Sequence, residues 1–170
     1  MASRKLSDCV PLLQLRVPDI IQKYNASFSD GRVLQVLCTL RSTDEQFAIW
    51  QVGRTWVMQN GVPHALTVDS RKIHTWIDGY TKFSKHNPDP NEPLSKAVDF
   101  GVFVGGKYMD RDLTYYYPLL QLARDAGLVS GIDIHETGQP LEVLLADKRW
   151  HDCPHIEVSG PVYTPLSTGD

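Results

Sequence analysis

The sequence predicts an α+β fold in a single domain. Segments with apolar residues at helical spacing and segments with alternating or continuous apolar residues follow one another along the chain, without an internal repeat or a heptad pattern. The chain has 170 residues, 42% of them hydrophobic, which is enough to bury one sizeable core. We therefore expect one domain over residues 1–158 and a loosely held tail, rich in Gly, Pro, Ser and Thr, over residues 159–170.

The first two elements precede Arg41. Residues 19–28 carry apolar side chains at helical spacing, which predicts a helix that begins after Pro18. Asp30–Gly31 then predicts a turn. The run from Val33 to Leu40 is apolar and rich in β-branched residues, so it predicts a buried strand with Arg41 at its end.

A capping box follows this strand. The Ser42 hydroxyl can accept a hydrogen bond from the Glu45 amide, while the Glu45 carboxylate accepts one from the Ser42 amide. The helix that begins here is expected to include Trp56 and to end at Gly61. Arg41, next to this helix start, is either a surface ion-pair partner or a functional residue.

The middle of the chain combines a long loop with a strand. Residues 60–96 are rich in loop-forming residues, and the three prolines of 87–93 exclude regular helix or central strand there. Residues 97–104 alternate in character, which predicts a strand. Its aliphatic side chains share one face, and Asp99 belongs to the other face.

The C-terminal part predicts one helix and one short strand. Apolar residues recur at helical intervals over residues 113–128, with Gly127 near the end, and residues 155–158 read as a strand. The aromatic run Tyr115–Tyr117 could stack on a carbohydrate. Consecutive helical residues face different directions, however, so at least one of these tyrosines should belong to the core.

Charge and cysteine content exclude several classes of protein. The 17 basic and 20 acidic residues give a net charge of -3, and no Lys or Arg run could follow a phosphate backbone, so nucleic acid is not an expected partner. The apolar stretches are short, and the N-terminus lacks the apolar region of a secretory signal, so we expect synthesis without a signal peptide and no membrane insertion. Cys9, Cys38 and Cys153 are odd in number and far apart, which argues against a disulfide framework or a thiolate zinc site, and Cys38 is assigned to the core.

Two segments offer the groups that a zinc hydrolase needs. Such an enzyme uses about three His or carboxylate ligands, one open position for water and a carboxylate that accepts a proton. Suitable side chains occur at His86 and Asp99, and again within residues 152–157. If His155 begins a strand, its imidazole points away from the core, and Asp152 lies near the mouth of the site.

The remaining histidines are not taken as ligands. His151 lies four residues before His155, the spacing of a zinc-binding pair on a helix, but Pro154 between them disfavours a helix. An isolated histidine in a globular chain is more often solvated or hydrogen-bonded than bound to metal. We expect such roles for His64, His74, His135 and His151.

Three motifs of the chain resemble the signature of one family. They are Ser84-x-His86, Ala97-Val98-Asp99 and Asp152-x-Pro154-His155-x-Glu157. They are similar to the motifs of the D-alanyl-D-alanine carboxypeptidase and L-alanyl-D-glutamate endopeptidase family, which includes the dipeptidase of vancomycin resistance and many phage endolysins. Segments 40–46 and 53–55 also resemble the stretch that precedes the site in phage members.

The resemblance implies both a fold and a site. The fold would be a small antiparallel sheet that carries a zinc site and is flanked by helices, as in D,D-peptidases and hedgehog-like domains. Zn2+ would be bound by His86, Asp99 and His155. Asp152 would act as general base and later as proton donor, and Arg41 would stabilise the oxyanion or position the substrate. His and Asp ligands suit several divalent ions, so the residues alone leave the metal open.

Two features depart from the family pattern. A Pro-rich insertion separates His86 from Asp99, where many members have a short spacing with a glycine. Residues 132–139 read Ile-Asp-Ile-His-Glu-Thr-Gly-Gln, whereas relatives often carry a Gly-Gly-Asp-Trp-like turn at this place. The resemblance therefore does not predict the contacts on the substrate side.

The function implied by the resemblance is cleavage of the L-alanyl-D-glutamate bond in peptidoglycan stem peptides by a monomeric phage endolysin. Such a protein is made in the host cytoplasm and reaches the wall after the membrane is breached. The alternatives are a D-alanyl-D-alanine carboxypeptidase or dipeptidase, and a non-catalytic, zinc-stabilised cell-wall-binding or virion protein. Asp152 beside a complete ligand set favours an enzyme, because a structural zinc site needs no base.

Overall fold

The computed structural model describes residues 2–69, 72, 74–75, 77–80, 83–88, 92–110, 112–134, 140, 143 and 152–158. These residues form an α+β structure, which confirms the predicted class. The expected tail at 159–170 lies outside the described residues, as do His135 and His151. Within the described part of the chain, the helices are α1 (Pro11–Ala26), α2 (Thr43–Gln51) and α3 (Tyr117–Asp125).

The strands form two antiparallel sheets. Among the described residues, the strands are β1 (Arg32–Cys38), β2 (Arg54–Gln59), β3 (Val62–Thr67), β4 (Ala97–Val104), β5 (Lys107–Tyr108), β6 (Val129–Ser130) and β7 (His155–Glu157). The larger sheet has five strands in the order β1-β4-β7-β6, with β5 paired to β4, and the smaller sheet consists of β2 and β3. β4 agrees with the predicted strand at both ends, and β1 and β7 occur within a residue or two of the predicted positions.

The core lies between one face of the large sheet and helices α1 and α3. Val98, Phe100 and Val102 on β4 are fully buried, as the alternation predicts. They belong to the same apolar cluster as buried residues of both helices, among them Leu13, Val17, Ile20, Tyr24, Leu119, Leu120 and Ala123. Burial of each large apolar side chain contributes about 1.5–3 kcal/mol, so this face is the main source of stability. The opposite face of β4, which carries Asp99, is left for other contacts.

Helix α1 is longer than predicted. It begins at Pro11, where proline suits the first helical position, and it continues through Pro18. The prediction that the helix begins after Pro18 is therefore wrong. Leu13 and Val17, which precede and adjoin Pro18, are completely buried on the core-facing side, whereas Pro18 itself is exposed. The packing of this apolar face outweighs the one backbone hydrogen bond that Pro18 cannot make.

Helix α2 is shorter than predicted. The capping box between Ser42 and Glu45 is present in full, but the helix ends at Gln51 and Trp56 lies on strand β2. The sequence Asn60-Gly61 forms the turn between β2 and β3, and both residues have positive φ, 51° and 78°. Asn-Gly favours this type of two-residue hairpin turn. The expectation of a loop-rich segment from residue 60 is corrected accordingly, because β3 occupies Val62–Thr67.

The C-terminal helix begins with a 3₁₀ turn over Leu113–Tyr116 and continues as α3. Gly127 follows it with a φ of 73°, as expected for a residue that ends a helix. Tyr116 is fully buried, so it belongs to the core and cannot stack on a carbohydrate. No helix in the described ranges is both long and apolar enough to cross a membrane.

Candidate metal centre

The candidate site begins as one row of residues across the large sheet. In the register of the sheet, Asp99 on β4 pairs with Cys38 on β1 and with His155 on β7. Residues that pair directly across adjacent strands have their side chains on the same face. Cys38, Asp99 and His155 therefore share the face opposite to the helices.

His86 reaches this face from a loop that is fixed by backbone contacts. The His86 carbonyl accepts a hydrogen bond from the Arg41 amide at 2.9 Å. The side-chain amide of Asn87 donates to the carbonyls of Arg41 and Ser42 at 2.9 and 3.2 Å. Lys96 binds the same loop from the other side through its amide, which donates to the Lys85 carbonyl at 2.8 Å. The end of β1 and the start of β4 together hold His86 over the sheet.

Three potential ligand atoms converge at this point. Oδ1 of Asp99 lies 3.1 Å from Nε2 of His86 and 3.0 Å from Nδ1 of His155. The two imidazole nitrogens lie 3.4 Å apart. His86 and His155 are buried, with 3% and 7% of their surface exposed, whereas Asp99 is partly exposed. The three residues that the resemblance implied as ligands are thus brought together, although the sequence separates them widely.

Each histidine has an outer partner that fixes its orientation. Nδ1 of His86 lies 2.7 Å from the Thr39 carbonyl, and Nε2 of His155 lies 3.1 Å from Oε2 of Glu157. Both partners are acceptors, so in the neutral imidazole that a metal binds these two nitrogens carry the hydrogen, and the other nitrogen of each ring faces Asp99. Metal-binding histidines commonly have this pairing with a carbonyl or carboxylate, because it fixes the tautomer and the ring orientation.

The charges of the cluster shift its pKa values in a consistent way. Burial disfavours the charged imidazoles, yet the charge and hydrogen bonds of Asp99 raise the pKa of His86 to about 9. For His155, hydrogen bonds to Asp99 and Glu157 also outweigh burial and raise the pKa to about 10. Burial acts to raise the pKa of Asp99, but both histidines lower it far below its usual value. Without a metal, the cluster is therefore an ion-paired network with Asp99 at its centre.

Arg41 lies at the edge of this cluster. Its Nη2 is 3.5 Å from Oδ2 of Asp99, a long ion pair, and 3.3 Å from Sγ of Cys38. Its Nη1 donates to Oε1 of Gln46 at 2.8 Å. The Nε atom is buried and has no hydrogen-bond partner among the described residues. The guanidinium therefore lies beside the cluster with one buried donor that no described residue accepts.

Asp152 lies just before β7 and is partly buried. Its backbone carbonyl accepts the amide of His155 at 2.9 Å, so the two residues share one turn. Burial raises the pKa of the Asp152 carboxyl, and the charge of Asp99 adds to this effect while His155 opposes it. A carboxyl with a raised pKa is better suited to accept and return a proton near neutral pH than an ordinary aspartate.

Sequence reasoning missed the position of Cys38. It is buried, as expected, but its Sγ lies 3.8 Å from Nδ1 of His86, and Cys38, His86 and Asp99 form a cluster that could hold a metal ion. The ring nitrogen nearest to Cys38 is the one bound to the Thr39 carbonyl. The signal that could have revealed this contact is the pairing of β1 with β4, which no local pattern in the sequence predicts.

Two other residues near the site were missed for the same reason. Gln46 binds Arg41, and Gly131 lies so close to the segment before β7 that an added Cβ would be 1.8 Å from the Asp152 carbonyl oxygen. His64 and His74 are exposed, which fits the solvated role among the two expected for them. No protein-family model matches the chain, and no curated protein matches it either.

Proposed function

We propose that the protein is a zinc-dependent peptidase of peptidoglycan stem peptides, an L-alanyl-D-glutamate endopeptidase of the phage endolysin type. The fold proposed with it is the D,D-peptidase and hedgehog-like arrangement, in which an antiparallel sheet carries the metal. The observation that supports the proposal most is the convergence of His86, Asp99 and His155, with ligand atoms 3.0–3.4 Å apart.

This spacing fits zinc. Ligands about 2.0–2.1 Å from a tetrahedral zinc ion lie about 3.3 Å from one another, close to the separations in this cluster. Two imidazoles and one carboxylate form a ligand set that is typical of catalytic zinc, and Glu157 and the Thr39 carbonyl supply the outer hydrogen bonds. We therefore assign zinc to His86, Asp99 and His155, with Cys38 outside the ligand set.

The chain's own residues account for the remaining steps. Bound zinc would supply Lewis-acid chemistry, which polarises the peptide carbonyl and makes water a better proton donor. The Asp152 carboxylate removes a proton from the attacking water as the water oxygen bonds to the carbonyl carbon. Asp152 then returns this proton to the amide nitrogen as the C–N bond breaks. Arg41 donates hydrogen bonds to the oxygen on which negative charge develops.

The test is digestion of purified peptidoglycan by the native, chelated and zinc-restored protein, followed by mass analysis of the fragments. We expect clearing that stops on chelation and returns with zinc, and fragments with a new D-glutamate amino terminus. Loss of D-alanine instead would show a carboxypeptidase. Absence of clearing on every wall type, despite bound zinc, would contradict the proposal and favour a non-catalytic binding module.

The general base has its own test. Asp152→Asn should lower turnover by about 10²–10⁴-fold while zinc content and melting temperature stay close to those of the native protein. Asp110→Asn, at an exposed aspartate beyond β5, is the matched control and should have native activity. Near-native turnover in the Asp152 variant would overturn the assignment of the base.

A further inference from the structure

Gln46 is a buried polar residue whose side chain is fully paired. Only 1% of its surface is exposed. Its Oε1 accepts a hydrogen bond from Nη1 of Arg41 at 2.8 Å, and its Nε2 donates to the Ile77 carbonyl at 2.8 Å and to Oγ1 of Thr75 at 3.3 Å. A buried amide is costly unless its donors and acceptor are paired, so these contacts fix the side chain in one orientation.

Packing fixes Gln46 as firmly as its hydrogen bonds. Gly79 lies against it so closely that an added Cβ would be 3.0 Å from both Cβ and Cγ of Gln46. The same Cβ would be 3.2 Å from the Thr43 carbonyl oxygen. The side chain is therefore held between helix α2 and the chain segment that leads towards His86.

Arg41 depends on this anchor for its position. The other contacts of its guanidinium within hydrogen-bond range are made by Nη2, with Sγ of Cys38 and the distant Oδ2 of Asp99. A sulfur acceptor is weak, and 3.5 Å is long for a hydrogen bond. The 2.8 Å bond to Gln46 is thus the strongest contact that orients the guanidinium among the described residues.

We propose that Gln46 is a positioning residue that holds the Arg41 guanidinium for the developing oxyanion. This inference rests on the proposed function, because it assigns Gln46 a role in peptide hydrolysis. Gln46 touches neither the ligand cluster nor Asp152 through any described hydrogen bond, so it acts only through Arg41. A misplacement of about 1 Å in such a group can cost about 10²-fold in rate.

The test compares Gln46→Met, which keeps the length of the side chain but removes both its acceptor and its donor, with Gln46→Glu, which keeps an acceptor for Arg41. Gln51→Met, at an exposed glutamine on the same helix, is the matched control. We expect Gln46→Met to lower kcat on a soluble muropeptide by about 10–100-fold with little change in KM or zinc content. Gln46→Glu should recover part of this loss, and Gln51→Met should be native.

A double-mutant cycle with Arg41→Ala separates positioning from a general structural effect. If Gln46 acts through Arg41, Gln46→Met should change kcat by less than about twofold in the Arg41→Ala background. An equal loss in both backgrounds, or no loss in the native background, would overturn the proposal. A parallel fall in zinc content would do the same, because it would show that the substitution disturbs the ligand cluster itself.

A measurement that does not depend on turnover tests the positioning role of Gln46 separately from the proposed function. The Arg41 guanidinium N–H signals in a nitrogen-15 NMR spectrum should shift and exchange faster with water in Gln46→Met than in Gln51→Met. Unchanged Arg41 signals would overturn the positioning role. Inactivity of the native protein on every peptidoglycan, by contrast, would overturn the proposed function while this spectroscopic comparison still tests the contact.

Discussion

Nδ1 of His155 lies 3.0 Å from Oδ1 of Asp99, although 56 residues separate them in the chain. The two residues are direct partners in the register between β4 and β7. Two of the three proposed ligands are therefore held by the backbone of a sheet, which positions side chains more accurately than a loop does. His86 alone depends on a loop, and the contacts with Arg41, Asn87 and Lys96 described above restrain it.

The stability of the metal-free protein should depend on pH. The raised pKa values of His86 and His155, about 9 and about 10, mean that the folded state holds protons more tightly than the unfolded state. Their contribution to stability is complete below the unfolded pKa of about 6.5 and is lost as the pH rises through the folded values. The melting temperature of the chelated protein should therefore fall as the pH rises from about 7 to about 10.

Zinc should reverse this trend, because the imidazoles bind zinc only when they are deprotonated. The stabilisation by zinc, measured as the difference in melting temperature with and without the metal, should increase with pH. Asp99→Asn should flatten the pH dependence of the chelated protein, since it removes the charge that raises both pKa values. Asp110→Asn should not. A chelated native protein whose stability is constant over this range would contradict the ion-paired network.

Glu157 should strengthen metal binding without touching the metal. Its Oε2 accepts the hydrogen bond from Nε2 of His155 and so directs Nδ1 towards the cluster. Glu157→Gln, whose amide can present a donor to this nitrogen, should weaken zinc affinity by about 10–100-fold, measured by competition with a chromogenic chelator. Unchanged affinity would show that the orientation of His155 is set by packing alone.

Gly131 should be intolerant of any side chain. An added Cβ would lie 1.8 Å from the Asp152 carbonyl oxygen and 3.1 Å from Cβ of His155. The Gly131 amide also donates to the His155 carbonyl at 2.7 Å, so the end of β6 and the start of β7 cannot move apart freely. Gly131→Ala should therefore lower both melting temperature and turnover, and it should weaken zinc binding through His155. Native zinc affinity and activity in this variant would contradict the close packing beside β7.

Local patterns were sufficient for some elements. The alternation of residues 97–104 predicted β4 and the outward face of Asp99, and the Ser42–Glu45 pair predicted the start of α2. These features depend on neighbours in the sequence. The spacing of the motifs, together with the family resemblance, identified His86, Asp99 and His155 as one group. Their actual convergence required the pairing of β4 with β7 and the loop contacts of His86.

Other features could not be predicted because tertiary contacts decide them. Cys38 lies beside Asp99 only because β1 pairs with β4, and Gln46 is buried only because the segment at Ile77 returns over α2. The β2–β3 hairpin was missed although Asn60-Gly61 is a strong local turn signal, because the aromatic residues before it were assigned to a longer helix.

Pro18 offers a test of the corrected helix α1. The residue is exposed in the interior of the helix, where it removes one backbone hydrogen bond. Pro18→Ala should raise the free energy of unfolding by about 1–3 kcal/mol, after the smaller, opposing effect of proline on the unfolded chain. Chemical denaturation measures this directly. A destabilised Pro18→Ala protein would contradict a continuous helix from Pro11 to Ala26.

The most direct test of the proposed zinc site is X-ray absorption spectroscopy of the zinc-loaded protein, combined with metal analysis. We predict one zinc per chain and a shell of only nitrogen and oxygen ligands at about 2.0–2.1 Å, unchanged in Cys38→Ser and lost in His86→Ala. A sulfur ligand at about 2.3 Å that disappears in Cys38→Ser would assign the metal to Cys38, His86 and Asp99 instead. That result, or failure to bind zinc at all, would contradict the proposed catalytic centre.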